Sequence, residues 1–203
     1  MYKRQHPKTG TTFGLLGALY QDLGRIDLAE KYILQAYEIT KTFYGGDHYE
    51  VAGPLNNLGL FYDLIGLYAK AEGYYLKSLE ILREYFRDGH PDIGDIINNL
   101  ASIASERGLH EKAQSLFEES YRISKKTYGP DHFRTAICMN NLATNYRSQG
   151  LLDQAESLQK QALNIFIKVF GRNHYHSIST IANLAGILED KGCLLYTSPS
   201  PRD

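Results

Sequence analysis

The sequence has little net charge, few cysteines and no long hydrophobic run. Its 22 Lys and Arg residues nearly balance 23 Asp and Glu residues, and no basic run concentrates positive charge. Such a surface does not attract nucleic acid or an anionic membrane. No apolar run approaches the roughly 20 residues that a membrane-spanning helix needs, and the N-terminus lacks the apolar stretch of a secretory signal. We therefore expect a cytoplasmic protein without nucleic-acid or membrane partners.

Residue patterns that mark catalytic and metal sites are also missing. Cys138 and Cys193 provide neither a disulfide framework nor metal-ligand spacing. There is no P-loop, no Gly-x-Ser-x-Gly, no HExxH and no glycine-rich turn between a strand and a helix. Cys138 has apolar neighbours and no local base, so we expect a buried apolar side chain rather than a nucleophile. The sequence predicts no enzyme activity, no catalytic residue, no metal site and no cofactor.

What the sequence does contain is a repeat of 42 residues. A segment that reads Leu-Asn-Asn-Leu-Gly begins at Leu55 and returns in related form at Ile97, at Met139 and, in part, at Ile181. Two further sets of small residues keep the same interval: Gly24, Gly66, Gly108, Gly150 and Gly192, and Ala29, Ala71, Ala113 and Ala155. Self-similarity at such a period is typical of stacked repeat proteins.

The small residues predict the structure of each repeat. Small residues in two successive helices allow the close approach of a packed pair, at axis separations of about 8–10 Å. A glycine between the helices can end the first one in the left-handed conformation. Together with apolar residues at helical spacing, these positions predict helices at about 11–23, 27–43, 51–65, 69–86, 93–107, 111–127, 134–149, 153–170 and 177–191.

Histidine also recurs every 42 residues, within turn sequences that lie between the repeats. His6, His48, His90, His132 and His174 occupy these junctions. Equivalent atoms in stacked repeats lie on the order of 10 Å apart, whereas zinc ligands must lie about 2 Å from one ion. We therefore expect these histidines to cap or pack against helices and not to bind a metal.

The repeats resemble the tetratricopeptide repeat family, and the 42-residue period is similar to that of kinesin light chains. The pattern Leu-Gly-x-x-Tyr followed by Ala is met by Leu58-Gly59, Tyr62 and Ala71. The resemblance implies an all-α, right-handed superhelical solenoid of antiparallel helix pairs, with about four and a half repeats in residues 6–192. The predicted repeat boundaries are 6–47, 48–89, 90–131, 132–173 and the partial 174–192.

The family resemblance also implies a function. In this family the first helix of each repeat lines a concave groove that receives an extended peptide or a partner helix. An asparagine amide can hydrogen-bond a peptide backbone whatever the peptide's side chains are. The alternative is that some of these asparagines satisfy neighbouring helices and contact no ligand. The predicted peptide-binding residues are Asn56, Asn57, Asn98, Asn99, Asn140, Asn141, Asn183, Asp63, Asp95, Glu106 and Arg147.

The charges of these predicted residues indicate the kind of ligand. A groove that holds a peptide carboxylate needs several Lys and Arg side chains, yet acidic residues outnumber the single Arg147. We therefore expect a neutral or basic protein or peptide partner, bound more weakly as salt increases. A structural spacer array within a larger protein, which self-associates through apolar helix faces at truncated ends, is the alternative.

Both ends of the chain look foreign to the fold. Residues 1–5 and 193–203 match translations of the transposon end and adapter used in preparing sequencing libraries. We therefore expect these segments to be scars or a disordered tail that flank an internal fragment of a longer gene.

Overall fold

Nine α-helices and one short 3₁₀ helix make up the secondary structure in the part of the chain that the structure describes. A computed structural model describes residues 6–87 and 89–197, without the side chains of residues 7 and 193–197. The predicted segment 1–5 and residues 198–203 of the predicted tail lie outside the described residues. The α-helices are α1 (Pro7–Asp22), α2 (Ile26–Tyr44), α3 (Ala52–Leu64), α4 (Tyr68–Phe86), α5 (Pro91–Glu106), α6 (His110–Tyr128), α7 (Phe133–Ser148), α8 (Leu152–Phe170) and α9 (Tyr175–Thr197), and the 3₁₀ helix is Tyr49–Val51.

Most helix ends lie within two residues of their predicted positions, and two differ by more. Helix α1 begins at Pro7, where a residue without an N–H suits the first helical position, and His6 caps it. Helix α9 runs to Thr197 and includes Gly192. A glycine permits a left-handed turn but does not dictate one. The turn predicted at Gly192 is therefore wrong.

The other glycines of that set form the predicted turns between paired helices. Gly24 and Gly150 have φ angles of 69° and 74°, and Gly66 and Gly108 are similar. At these angles a residue with a Cβ atom is strained, so glycine ends the first helix of each pair at little energetic cost. Because each turn is short, the second helix returns antiparallel to the first in the pairs α1 and α2, α3 and α4, and α7 and α8.

Small residues bring the paired helices together, as predicted. A Cβ atom on Gly59 would overlap the ring of Tyr75, which is itself fully buried. Gly17 similarly faces Ile33. The alanines near the start of the second helices are all 0% exposed: Ala29, Ala71, Ala113 and Ala155. The sequence period thus predicts the closest helix contacts correctly.

All five junction histidines cap helices through the same hydrogen bond. The Nδ1 atom of each accepts the backbone N–H two residues later, as in His48 to Glu50 and His132 to Arg134, both at 3.2 Å. The other three bonds are from Lys8 to His6, from Asp92 to His90 and from His176 to His174. The rings also contact aromatic side chains, and three of these contacts are stacked, with 4.8 Å between the centroids of Tyr128 and His132. The predicted capping and packing role is therefore confirmed.

The chain divides into two compact units, one ending at Ile103 and the other beginning at Ala104. In unit 1, α1 packs on α2, α2 on α3, and α3 on α4. Its core includes Leu58, Phe61 and Tyr75. In unit 2, α6 packs on α7, α7 on α8, and α8 on α9. Met139 and Phe166 lie in the core of this unit.

Candidate functional site

The predicted peptide-binding residues lie on the first helices of successive repeats. Helix α3 carries Asn56, Asn57 and Asp63; α5 carries Asp95, Asn98, Asn99 and Glu106; α7 carries Asn140, Asn141 and Arg147; α9 carries Asn183. Asn57 and Glu106 are exposed, and the others are half-buried. These side chains, carried by the first helices, are therefore at least partly accessible to solvent. Their role as ligand contacts stays a prediction.

Asparagines of neighbouring repeats are hydrogen-bonded to one another. In unit 1, Nδ2 of Asn99 donates to Oδ1 of Asn56 at 3.5 Å. In unit 2, Nδ2 of Asn183 donates to Oδ1 of Asn140 at 3.2 Å. In both cases an asparagine at the second position of the Asn-Asn motif reaches back to the first asparagine of the preceding repeat, although in the last repeat Ala182 occupies the first position. We call this arrangement the asparagine ladder.

Asn140 is the most extensively bonded of these asparagines. Its Oδ1 atom also accepts a hydrogen bond from Nε2 of Gln159 at 2.8 Å, and it lies 3.4 Å from Oγ1 of Thr180, whose hydroxyl donates to the backbone oxygen of His176 at 2.7 Å. Its Nδ2 atom donates to Oδ1 of Asn141 at 3.3 Å. Gln159 is 0% exposed and Thr180 is 1% exposed. These contacts give Asn140 a structural role that needs no ligand. Gln159 and Thr180 could not be identified from the sequence, because only the helix packing brings them to this asparagine.

The ladder is interrupted in the first repeat. Gly14 and Leu15 occupy the positions that hold two asparagines in the next three repeats. By the same repeat relationship, Asn57 would donate a hydrogen bond to the side chain of residue 14, but a glycine has no side-chain acceptor. The Asn57 side chain makes no hydrogen bond to any residue that the structure describes. Its amide is exposed and faces a cavity.

That cavity lies between α1 and α3, with α2 beneath it. Its volume is about 460 Å³. Leu15, Ala36 and Leu60 line it together with Asn57 and Glu50. Leu15 is 69% exposed and Leu60 is 41% exposed, so apolar surface is open to solvent here. We call this space the first cavity.

Two smaller cavities occupy equivalent positions in later repeats. The second cavity, between α3 and α5, has a volume of about 200 Å³ and is lined by Asn56, Asn57, Asp92 and Asp95 among others. The third cavity, between α7 and α9, has a volume of about 170 Å³. In both, an asparagine stands at the position of Gly14. The space that glycine leaves empty, and a small Thr40 where the other cavities have Leu82 and Phe166, contribute to the larger volume of the first cavity.

The equivalent cavities differ in charge. Asp92 and Asp95 of the second cavity correspond by repeat position to His176 and Ser179 of the third. Burial and the nearby His174 lower the pKa of His176, which favours a neutral ring. The second cavity is therefore acidic, whereas the third has no carboxylate among its described lining residues.

Arg147, the one basic residue of the predicted site, is paired within unit 2. Its Nε atom donates to Oδ2 of Asp190 at 2.6 Å, and its guanidinium group lies against Gly186. The Arg147 guanidinium lowers the pKa of the Asp190 carboxyl, chiefly through this hydrogen bond. This pairing accounts for Arg147 without a bound carboxylate.

Tyrosines of the repeat pattern bond to carboxylates of the preceding helix. The hydroxyl of Tyr62 donates to Oε1 of Glu30 at 2.7 Å, and that of Tyr146 donates to Oε1 of Glu118 at 3.0 Å. Burial, followed by the hydrogen bond to Glu118, raises the pKa of Tyr146 to about 12. Tyr74 stacks on Tyr62 at a centroid distance of 5.4 Å. These tyrosines pack between helices.

The described residues do not form the clusters that metal chemistry requires. In residues 6–87 and 89–197, no group of three His, Cys, Asp or Glu side chains is arranged to hold a metal ion. Cys138 is 3% exposed and lies 3.3 Å, between Sγ and Oγ, from Ser120. Its predicted burial is confirmed. Within the same residues, no helix combines the length and apolar character needed to cross a bilayer.

Comparison with solved structures shows the fold to be a known one. BtubC (BKLC) from P. vanneervenii superimposes with a TM-score of 0.78 at 23% identity, covering 94% of this chain and 83% of that one. A Podosopora anserina kinesin light chain with nearly identical TPR-like repeats gives a TM-score of 0.75 at 22% identity, with coverages of 93% and 89%. At these identities the likeness concerns the fold alone. It confirms the predicted all-α class of tetratricopeptide-like helix pairs.

Comparison of the sequence identifies the family. No curated protein matches the chain. The sequence profile described as "Tetratricopeptide repeat" matches residues 8–84 and 92–168. Repeats of this kind are generally scaffolds for protein–protein interaction and are typically non-catalytic. Since the two matched segments make up more than half of the chain, the protein belongs to the tetratricopeptide repeat family.

Proposed function

We propose that this protein is a non-catalytic scaffold that binds an extended peptide or a partner helix along the first helices of its repeats. The observation that carries the proposal is the first cavity, where exposed leucines and the amide of Asn57 line one opening. Apolar surface with a few polar groups is typical of a binding site. We place the protein in the cytoplasm, without nucleic-acid or membrane partners.

The nature of the ligand follows from charge. Glu50, Asp92 and Asp95 line the cavities of unit 1, and Asp190 already pairs with Arg147 in unit 2. A neutral or basic peptide meets this surface without repulsion, whereas an acidic peptide does not. Binding of a basic peptide should weaken as salt screens the interaction.

A peptide array tests the proposal with the full chain. Neutral, basic and acidic peptides would be probed at low and moderate salt, with wild type and with Leu60→Glu. Leu60 is exposed, so this substitution changes the cavity surface without removing a core side chain. We expect neutral and basic peptides to bind wild type and to be lost in Leu60→Glu. Binding of acidic peptides alone, absence of any binding, or equal binding by the variant would overturn the proposal.

A self-associating spacer array is the second candidate. The observation that favours it is the apolar surface of α9, where Tyr175 is 74% exposed and Ile178 is 55% exposed. Exposed apolar faces of repeat helices tend to associate. Sedimentation velocity over a hundredfold range of protein concentration would test this candidate. A mass that increases with concentration, and that stays monomeric in Ile178→Lys, would support it over a peptide groove.

A further inference from the structure

The first and second cavities of unit 1 adjoin one another across α3. Gly53 and Asn57 line both of them. We call the two cavities together the unit 1 groove. Successive repeats lie on the order of 10 Å apart, and an extended peptide rises about 3.3 Å per residue. Peptide side chains about three residues apart would therefore reach the two cavities.

The two halves of the unit 1 groove have different chemistry. The first cavity presents the aliphatic side chains of Leu15, Ala36 and Leu60, which suit an aliphatic ligand group, and a single carboxylate, that of Glu50, at the repeat position of Asp92. The second cavity presents the carboxylates of Asp92 and Asp95. The Asp92 side chain is 57% exposed, and its Oδ2 atom lies 3.8 Å from Nδ1 of His90. Among the described residues lining either cavity, no Lys, Arg or His side chain occurs.

Asn57 lies where the two halves meet. Its side chain is exposed and lacks the ladder bond that Asn99 and Asn183 make. An amide with two donors and an acceptor can bond both the N–H and the C=O of an extended peptide. Within the described chain, Asn57 can thus engage a ligand without breaking a hydrogen bond of the fold.

We propose that the unit 1 groove selects an extended peptide segment of a protein partner that carries an aliphatic residue and, about three residues away, a lysine or arginine. The aliphatic side chain enters the first cavity, the basic side chain pairs with Asp92 and Asp95, and Asn57 bonds the peptide backbone between them. This inference rests on the proposed function, because it names the ligand class of that same surface.

The probe is a set of capped, fluorescent nonapeptides built from Gly and Ser. One peptide carries Leu and Lys three residues apart. Its partners replace Lys with Glu, replace Leu with Ser, or place Leu and Lys next to each other. Binding to the full chain would be measured by fluorescence anisotropy at low and moderate salt. We expect the Leu and Lys peptide with the three-residue spacing to bind most tightly.

Gly14→Asn is the most informative variant. It reduces the first cavity and places a side-chain acceptor at the position where Asn57 lacks one. A Cβ atom at position 14 meets only the Cβ of Ala36, at an ordinary contact distance of 3.9 Å. Replacing a helical glycine also favours the helix. We therefore expect a variant that unfolds no more easily than wild type, yet binds the Leu and Lys peptide at least about tenfold more weakly because a good apolar contact is lost.

Two further variants test the acidic half and its salt dependence. Asp92→Asn combined with Asp95→Asn should weaken binding of the Lys peptide about tenfold at low salt. The same double substitution should not weaken binding of the Glu peptide. Glu189→Gln is the matched control, because it removes an exposed carboxylate from α9 in unit 2. We expect this control to bind as wild type does. Circular dichroism and urea denaturation would establish that each variant is folded.

The outcomes separate this inference from the proposed function. If the array yields ligands that Leu60→Glu abolishes, but the nonapeptides do not discriminate Lys from Glu, the scaffold function stands and the ligand class is wrong. If folded Gly14→Asn binds as wild type does, the first cavity is not the site. If no peptide of either set binds, both the inference and the proposed function are overturned.

Discussion

Asn183 donates a hydrogen bond from Nδ2 to Oδ1 of Asn140, at 3.2 Å and one repeat back along the chain. The same oxygen accepts a hydrogen bond from Nε2 of Gln159 of α8 at 2.8 Å. A carbonyl oxygen offers two lone pairs, so these two donors leave no lone pair for a ligand. One side chain of α7 thereby connects three helices of unit 2.

Removing this acceptor should destabilise the protein. Asn140→Ala leaves the buried Nε2 of Gln159 with fewer partners, and an unsatisfied buried donor costs about 1–3 kcal/mol. We expect the free energy of unfolding, measured by urea denaturation, to fall by about 2 kcal/mol. Asn57→Ala is the matched control, because the exposed Asn57 makes no ladder bond. It should change stability by less than about 0.5 kcal/mol. Equal losses in the two variants would contradict the assignment.

Replacing Arg87 with glycine should stabilise the protein. It has φ 53° and ψ −123° at the end of α4, where Gly45, Gly129 and Gly171 end the other second helices. A side chain held in such a region costs about 1–3 kcal/mol, while glycine adds entropy to the unfolded chain. We expect Arg87→Gly to raise the free energy of unfolding by about 1 kcal/mol. Arg87→Ala keeps the Cβ atom and should show little of this gain.

The junction histidines should act as helix caps and not merely as aromatic packing groups. His132→Asn retains a side-chain acceptor for the N–H of Arg134, whereas His132→Phe keeps the ring beside Tyr128 but has no acceptor. Loss of a cap typically costs about 1 kcal/mol. We expect the Phe variant to lose this amount in urea denaturation and the Asn variant to lose less. The reverse order would show that stacking dominates.

Glu156 should make stability depend on acid pH. It accepts hydrogen bonds from Nζ of Lys160 and Nζ of Lys191, both at 2.6 Å, and these lower its pKa from 4.5 to about 2. Because the folded pKa lies below the unfolded one, its contribution is complete above pH 4.5 and disappears as pH falls towards 2.

Urea midpoints measured between pH 5 and pH 2 would check this pH dependence. Glu156→Gln should flatten the decline of stability in that window, and Lys191→Met should flatten it in part. An unchanged slope in both variants would mean that other carboxyl groups control the acid response.

Much of the fold could be predicted from the sequence, because the fold depends on local rules repeated every 42 residues. The left-handed turn at Gly150 and the close helix contact at Gly59 each follow from one residue type at one position. The capping role of His132 follows in the same way from its place in a turn. Gly192 shows the limit, since a glycine that can turn need not do so.

The candidate site could be predicted only in part. The sequence identifies the asparagines and the departure at Gly14, but not which amides bond to each other. Whether Asn99 reaches Asn56 depends on how far one helix is rotated against the next, which the period does not specify. The first cavity likewise depends on the absence of a side chain at Gly14 together with the positions of Leu15 and Leu60.

The histidine junctions bear on how such a chain can change length during evolution. Each imidazole accepts a hydrogen bond from a backbone N–H two residues away, and at His48, His132 and His174 the ring four residues earlier stacks on it. The interactions that stabilise such a junction therefore come from residues close together in the sequence. A gene duplication or deletion with its break points at two such histidines would add or remove whole repeats. The new junction between the joined repeats would retain its histidine cap.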